Sequence, residues 1–68
     1  MAFSSNLRYL RKKYNLSQDE LAEKLGYKSF TTIQKWESGV SEPSISVVKQ
    51  LSAMFNITMD ELMNIDLE

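Results

Sequence analysis

Apolar residues recur along this chain at helical spacing, and no stretch alternates apolar and polar residues with the period of a strand. Leu7, Leu10 and Tyr14 lie on one face of a first helix, and Phe30, Ile33 and Trp36 form a similar stripe further on. We therefore predict an all-α fold of five short helices.

Residues that favour helix ends separate these segments. The first helix is predicted to begin at Ser4 or Ser5 and to end at Asn15. The second begins at the capping box of Ser17 and Glu20 and ends at Gly26 after about nine residues. The third covers about 29–38 and is closed by Gly39, the fourth covers 44–55, and the fifth begins at the capping box 58–61.

Helices this short are marginal alone, because isolated helices under about 12–15 residues are barely stable in water. They must therefore share one core within a single domain that covers residues 1–68. The predicted core consists of Leu7, Leu10, Leu16, Leu21, Ala22, Leu25, Ile33, Trp36, Ile45, Val48, Leu51, Phe55, Ile57 and Leu62.

The composition excludes most catalytic chemistry. The chain has no Cys and no His, which argues against thiol catalysis, Ser-His triads and nearly every zinc site. With only two glycines it has no phosphate-binding glycine loop. No signal peptide and no apolar run of about 18 residues is present. We expect a cytoplasmic binding module that is not an enzyme, has no catalytic or metal-binding residues, needs no cofactor and does not contact a membrane.

Charge is unevenly distributed along the chain, whose formal net charge is −1. Residues 1–37 contain seven basic and four acidic groups, whereas residues 38–68 contain one basic and five acidic groups. This asymmetry indicates either a basic face with an acidic end or simply an uneven solvated surface.

Three segments give this chain a family resemblance. Residues 16–26 (LSQDELAEKLG), 33–39 (IQKWESG) and 42–44 (EPS) closely resemble the Cro and lambda-repressor type of helix-turn-helix domain, over roughly residues 4–63. The resemblance implies a lambda repressor-like fold in which the second helix crosses the DNA backbone and the third enters the major groove. This chain differs by one extra residue within 27–30, since many members have six positions from the turn glycine to the core isoleucine and this chain has seven.

Helical geometry selects the outward face of the third helix. With Ile33 inward, Thr31 and Lys35 point to the opposite side and Gln34 lies beside them. All three can hydrogen-bond to bases, so we predict that they contact bases; the alternative is a face that is merely solvated. For Phe30 we favour core packing, with contact to a thymine methyl as the alternative.

Phosphate contacts are expected around this face. Gln18 lies in the first turn of the second helix, where free amides and the helix dipole favour a phosphate, although simple solvation is the alternative. In the family the matching glutamine also braces the recognition helix. Thr32 is either a phosphate contact or a cap. Ser38, Gly39 and Ser41 are expected to contribute backbone amides rather than side-chain charge. The predicted set is Gln18, Lys28, Ser29, Thr32, Ser38, Gly39 and Ser41.

Other polar residues are predicted to be structural. The resemblance implies that Arg11 and Glu37 form an ion pair between the first and third helices. Trp36 is predicted to belong to the core, although an aromatic side chain can also stack on exposed bases. Asp60 and Glu61 have no third ligand or base beside them and are expected to cap a helix.

Two functions of different classes remain at this point. The first is sequence-specific binding of double-stranded DNA in transcriptional regulation, as a phage or bacterial repressor that binds a palindromic operator as a homodimer. The second is an antitoxin or anti-repressor type of protein-interaction module, whose acidic half and methionines 54, 59 and 63 would contact a protein partner. Members of this kind often continue into a further domain, so a missing C-terminal domain is also compatible with the sequence.

Overall fold

The computed structural model describes residues 2–68 and contains five α-helices over that range. They are α1 (Ala2–Lys13), α2 (Gln18–Lys24), α3 (Thr31–Ser38), α4 (Ile45–Phe55) and α5 (Met59–Asn64). Helix α1 packs against α3 and α5, while α2 packs against α3 and α4 against α5. The described residues form no strand, and the prediction of an all-α fold with five short helices is confirmed.

The predicted helix ends form by local hydrogen bonds. Ser17 Oγ accepts the amide of Glu20, and the Glu20 carboxylate accepts the amide of Ser17 at 2.8 Å. Thr58 and Glu61 form the same reciprocal pair. Asn15 and Asn56 adopt positive φ angles of 57° and 56°, as expected for residues that tolerate the left-handed conformation.

Several predicted boundaries were wrong. Helix α1 already begins at Ala2, so neither Ser4 nor Ser5 is its cap. Helix α2 has seven residues rather than about nine. It ends at Lys24, because Leu25 is its C-cap and Gly26 follows with a φ of 85°. Helix α3 begins at Thr31 because the lengthened turn occupies the preceding residues, including Ser29.

All five helices contribute buried residues to one core. Its buried members are Phe3, Leu7, Leu10, Leu21, Ala22, Ile33, Trp36, Val48, Leu51, Phe55 and Leu62. Leu16, Leu25 and Ile57 pack against it as half-buried residues. Ile45 was wrongly predicted to be buried and is 72% exposed, because Val48, Leu51 and Phe55 direct α4 inward and leave its first residue to one side.

A buried asparagine fastens the end of the chain to α1. Asn6 is fully buried, and its Nδ2 donates to the carbonyl oxygens of Leu62 at 2.9 Å and Ile65 at 2.6 Å. Its Oδ1 accepts the amide of Leu67 at 3.0 Å. These bonds satisfy free carbonyls at the end of α5, where a helix leaves them without intrahelical partners.

Among the helices described, none is long and apolar enough to cross a lipid bilayer.

Candidate nucleic-acid interface

The C-terminal end of α3 is held by a buried carboxylate. The Glu37 side chain is 3% exposed, and its Oε2 accepts Arg11 Nε at 2.7 Å. Its Oε1 accepts Arg11 Nη2 at 3.2 Å and Gln18 Nε2 at 3.1 Å. The predicted ion pair is therefore present, and it joins α1, α2 and α3 at one point.

Arg11 also fixes the start of the helix-turn-helix. Its Nη1 donates to the carbonyl oxygen of Leu16 at 2.8 Å, directly before the Ser17 cap of α2. Each of its three guanidinium nitrogens thus has a partner, and only 12% of the side chain is exposed. A planar guanidinium suits such an arrangement, because its donors lie in a rigid fork. The position of α3 relative to α1 and α2 is consequently set by side chains of fixed geometry.

The opposite face of α3 is open to solvent. Thr31, Gln34 and Lys35 are exposed, whereas Ile33 and Trp36 are buried in the core. The Thr31 hydroxyl shares a hydrogen bond with Ser29 Oγ at 2.7 Å, which leaves it two further hydrogen-bonding positions. The three predicted base-contacting residues therefore lie together on one exposed helix face, and their contact with bases stays a prediction.

The turn between α2 and α3 is organised by an aromatic contact. The Tyr27 ring meets Trp36 edge to face, with centroids 5.8 Å apart, and the Tyr27 amide donates to the Ala22 carbonyl at 2.9 Å. Ser29 Oγ then accepts the amide of Thr31, the first residue of α3, at 3.1 Å. These contacts hold the turn that leads from α2 to the core residues Ile33 and Trp36.

Phe30 is not part of the core. Its side chain is 41% exposed, so the favoured prediction of core packing is wrong. Tyr27 provides the aromatic contact to Trp36 from this turn, and Phe30 precedes the first residue of α3. The alternative, contact with a thymine methyl, remains open because an exposed ring lies at the start of the predicted recognition helix.

The predicted phosphate contacts differ in their surroundings. Gln18 is half-buried through its bond to Glu37, and Thr32 is half-buried at the side of α3. Lys28 and Ser29 are exposed, but they line an open cavity of about 440 Å³ together with Asp19 and Glu23. Lys28 thus shares its cavity with two carboxylates, and its contact with phosphate stays a prediction.

The residues after α3 offer hydroxyls more readily than amides. Gly39, with a φ of 82°, donates its amide to Trp36 at 3.3 Å, and Ser41 donates its amide to the Lys35 carbonyl at 3.4 Å. These amides are already engaged within the chain, so the expectation that they bind phosphate is not supported. Ser38 is exposed and Ser41 is half-buried, and contact of Ser38, Gly39 or Ser41 with phosphate stays a prediction.

One cation near this face was not singled out from the sequence. Arg8 Nη2 donates to the carbonyl oxygen of Glu37 at 3.3 Å, and its Nε lies 3.8 Å from Glu37 Oε1. Its spacing of three residues before Arg11 on α1 was the available signal, because residues three apart share a helix face.

Other carboxylates have the structural role expected of them. Glu61 accepts the amide of Thr58, and Asp60 accepts Asn64 Nδ2 at 2.8 Å. In α2, bonds from the Ser17 amide and hydroxyl lower the pKa of Glu20 below its ordinary value, because both stabilise the charged carboxylate. Helix capping thus accounts for Glu20 and Glu61, whereas Asp60 bonds to a side chain one turn further along α5.

Known proteins that are similar to this chain show the family to which it belongs. The helix-turn-helix family profile matches residues 7–62. The chain is 45% identical over 64 residues to the HTH-type transcriptional activator BcrR of Enterococcus faecalis, covering 94% of this chain and 31% of BcrR. The chain therefore spans about a third of the length of that relative.

Two archaeal relatives are similar in length to this chain. An HTH-type transcriptional regulator of Methanocaldococcus jannaschii is 33% identical over 58 residues, which cover 85% of this chain and 86% of that protein. Another from Archaeoglobus fulgidus is 33% identical over 62 residues, which cover 91% of this chain and 87% of that protein.

A five-helix fold whose second and third helices are joined by an ordered turn defines a helix-turn-helix domain. The family match over residues 7–62 agrees with this architecture. The chain belongs to the Cro/C1-type helix-turn-helix family of DNA-binding transcription regulators, which confirms the resemblance noted from the sequence.

Proposed function

We propose that this chain binds a specific double-stranded DNA sequence, with α3 in the major groove, and thereby regulates transcription. One observation supports this most strongly. Thr31, Gln34 and Lys35 form a continuous polar and basic face on a helix whose other side is fixed in the core. Rigid support of hydrogen-bonding side chains is what base readout in the major groove requires.

The proposed operator is palindromic and is bound by a homodimer. A single module of this size contacts too few base pairs for useful specificity, so two copies bound to symmetric half-sites are needed. The half-sites should lie about 34–36 Å apart, one helical turn of DNA. No heptad run is present in the sequence, so we expect a monomer or weak dimer without DNA.

Repression remains our proposal for the regulatory outcome, in a phage or bacterial cytoplasm. The relative BcrR is named an activator, so this family scaffold is also found in activators. A promoter–reporter fusion that carries a DNA site selected by this protein distinguishes repression from activation. Repression lowers reporter output when the protein is expressed, and activation raises it.

The protein-interaction alternative has less support. An apolar outward face on α3 would favour a protein partner, whereas the exposed residues there are polar and basic. The methionines that were expected to form such a surface, Met54, Met59 and Met63, pack against the core as half-buried residues. The relatives of this chain are named transcription regulators, and this similarity favours DNA binding over a catalytic function as well.

Selection of bound sites from random duplex DNA tests the proposal. We expect enrichment of a two-fold symmetric sequence by the wild-type protein and loss of enrichment by the triple variant Thr31→Ala/Gln34→Ala/Lys35→Ala. Lys49→Ala, which alters an exposed lysine on α4, is the matched control and should select the wild-type sequence. Absence of any enriched sequence with folded wild-type protein would overturn the proposal.

A further inference from the structure

We propose that Arg8 is an additional phosphate-binding residue, which forms one clamp with Gln18 at the C-terminal end of α3. This inference rests on the proposed DNA binding and names a contact that the family resemblance did not supply. It follows from the position of Arg8, from its free donors and from the charge around it.

Arg8 lies near Gln18 because both side chains approach the Glu37 carboxylate. Glu37 Oε1 accepts Gln18 Nε2 at 3.1 Å and lies 3.8 Å from Arg8 Nε. Arg8 Nη2 also donates to the Glu37 carbonyl at 3.3 Å. Arg8 on α1 and Gln18 at the start of α2 therefore lie side by side, where α3 leads into the predicted phosphate contacts Ser38 and Ser41.

The two arginines that contact Glu37 differ in whether their guanidinium groups can also contact a phosphate. Arg11 is 12% exposed, and all three of its guanidinium nitrogens are hydrogen-bonded within the chain. Arg8 is 53% exposed, and among the described residues its Nη1 has no hydrogen-bond partner. An exposed guanidinium that contacts a helix end through Nη2 and Nε can still donate from Nη1 to a phosphate without losing its contact to Glu37.

The surroundings of Arg8 are cationic. It lines an open groove of about 330 Å³ along α1 with Tyr9, Lys12, Lys13 and Glu68. Lys12 is exposed and lies one helical turn from Arg8. Three cations and one carboxylate line this groove, and the Glu37 carboxylate beside Arg8 is already paired with Arg11. The groove therefore has a net positive charge, in contrast to the cavity beside Lys28, and positive charge attracts the DNA backbone.

Salt titration of DNA binding tests the inference with Arg8→Gln and Arg8→Lys. Each phosphate neutralised contributes about 0.9 to the slope of log K against log salt concentration, so Arg8→Gln should lower the slope by about that amount. Selected and unrelated duplexes should be weakened alike, because a phosphate carries no sequence information. Arg8→Lys should retain the wild-type slope, and Lys49→Gln, a charge removal on α4, should do so as well.

Thermal melting distinguishes this role from a structural one. We expect Arg8→Gln to melt within a few degrees of wild type, because exposed ion pairs contribute little to stability. A wild-type slope in Arg8→Gln, with or without a lower melting midpoint, would overturn the inference. An equal fall in slope for Lys49→Gln would also overturn it, because the effect would then be one of net charge. Failure of the wild-type protein to bind any duplex would instead reject the proposed function itself.

Discussion

The two ends of α3 are held in different ways. At its C-terminal end, Glu37 is buried and receives hydrogen bonds from two other helices, through Arg11 and Gln18. At its N-terminal end, the Thr31 amide donates to Ser29 Oγ in the preceding turn. Tyr27 holds that turn by an edge-to-face contact with Trp36, which lies in the C-terminal half of α3. The C-terminal end of the helix is therefore fixed by several coupled bonds, whereas the N-terminal end has one.

The position of α3 therefore depends more on its C-terminal end than on the turn before it. The charged network around Glu37 and the burial of Ile33 and Trp36 fix the helix along its axis. Residues 27–30 join it at the end that carries fewer contacts. We infer that the face formed by Thr31, Gln34 and Lys35 is positioned mainly from the C-terminal end of α3.

Arg11→Ala tests how firmly the C-terminal end of α3 is held and should have the largest effect on stability. Removing one partner of a buried ion pair costs about 3–5 kcal/mol, and we expect the lower limit because Gln18 and Arg8 still reach Glu37. For a domain of this size each kcal/mol shifts the melting midpoint by about 4–8 °C, so a loss of about 3 kcal/mol should lower the calorimetric midpoint by more than about 10 °C.

The matched control is the exposed neighbour Lys12, whose replacement by Ala should change stability by no more than about 0.5 kcal/mol. Should Arg11→Ala melt like wild type and yet lose DNA binding, Arg11 would belong with the phosphate contacts instead.

Tyr27→Ala tests the turn and should have a smaller effect. An aromatic pair contributes about 0.5–1.5 kcal/mol beyond its buried area, so we expect a loss of about 1–2 kcal/mol in the free energy of unfolding by denaturant titration. Tyr27→Phe keeps the ring and should be close to wild type. A loss as large as that of Arg11→Ala would show that the two ends are held equally firmly.

Ser29 allows capping and phosphate contact to be separated. Ser29→Ala removes the acceptor of the Thr31 amide and should cost about 1 kcal/mol. Ser29→Asp keeps an acceptor at the helix start and should retain most of the stability, while its charge repels a nearby phosphate. We therefore expect Ser29→Asp to melt near wild type and to bind DNA more weakly. Wild-type affinity in Ser29→Asp would remove Ser29 from the phosphate contacts.

The smallest expected effect is on stability at acid pH and concerns the start of α2. Gln18 in this first turn bonds to Glu37 at the C-terminal end of α3. The folded pKa of Glu20 is lowered by the bonds from Ser17, so its charged form stabilises the folded state. That contribution is present above the unfolded pKa and is lost as the pH falls through the folded pKa. Melts across the acid range should show wild type losing its advantage over Glu20→Gln; a constant difference at every pH would contradict this.

The local features of this fold were predictable from the sequence because they depend on residues close together in the chain. The capping box of Ser17 and Glu20 and the left-handed Asn15 and Asn56 need only their neighbours. The pair of Arg11 and Glu37 spans 26 positions, and the family resemblance, rather than any local pattern, predicted it.

Apart from the helix boundaries, the errors and omissions concern long-range packing. Asn6 resembles a surface residue in the sequence, and only the return of the chain after α5 supplies its partners. Ile45 and Phe30 are apolar residues near predicted core stripes, yet no neighbouring element covers them. For the candidate site, the exposed face of α3 followed from helical geometry, whereas the proximity of Arg8 to Gln18 required three helices to be placed together.

The central claim is that the exposed face of α3 contacts bases while the residues around it contact phosphates. Binding affinities for a panel of single-base variants of the selected operator, measured with Lys35→Ala and Lys28→Ala at several salt concentrations, test it most directly. Lys35→Ala should weaken binding and relax preference at one operator position by about 1–3 kcal/mol. Lys28→Ala should weaken all variants alike and lower the salt slope by about one unit. The claim is contradicted if Lys35→Ala leaves the ranking of variants unchanged while Lys28→Ala reorders it.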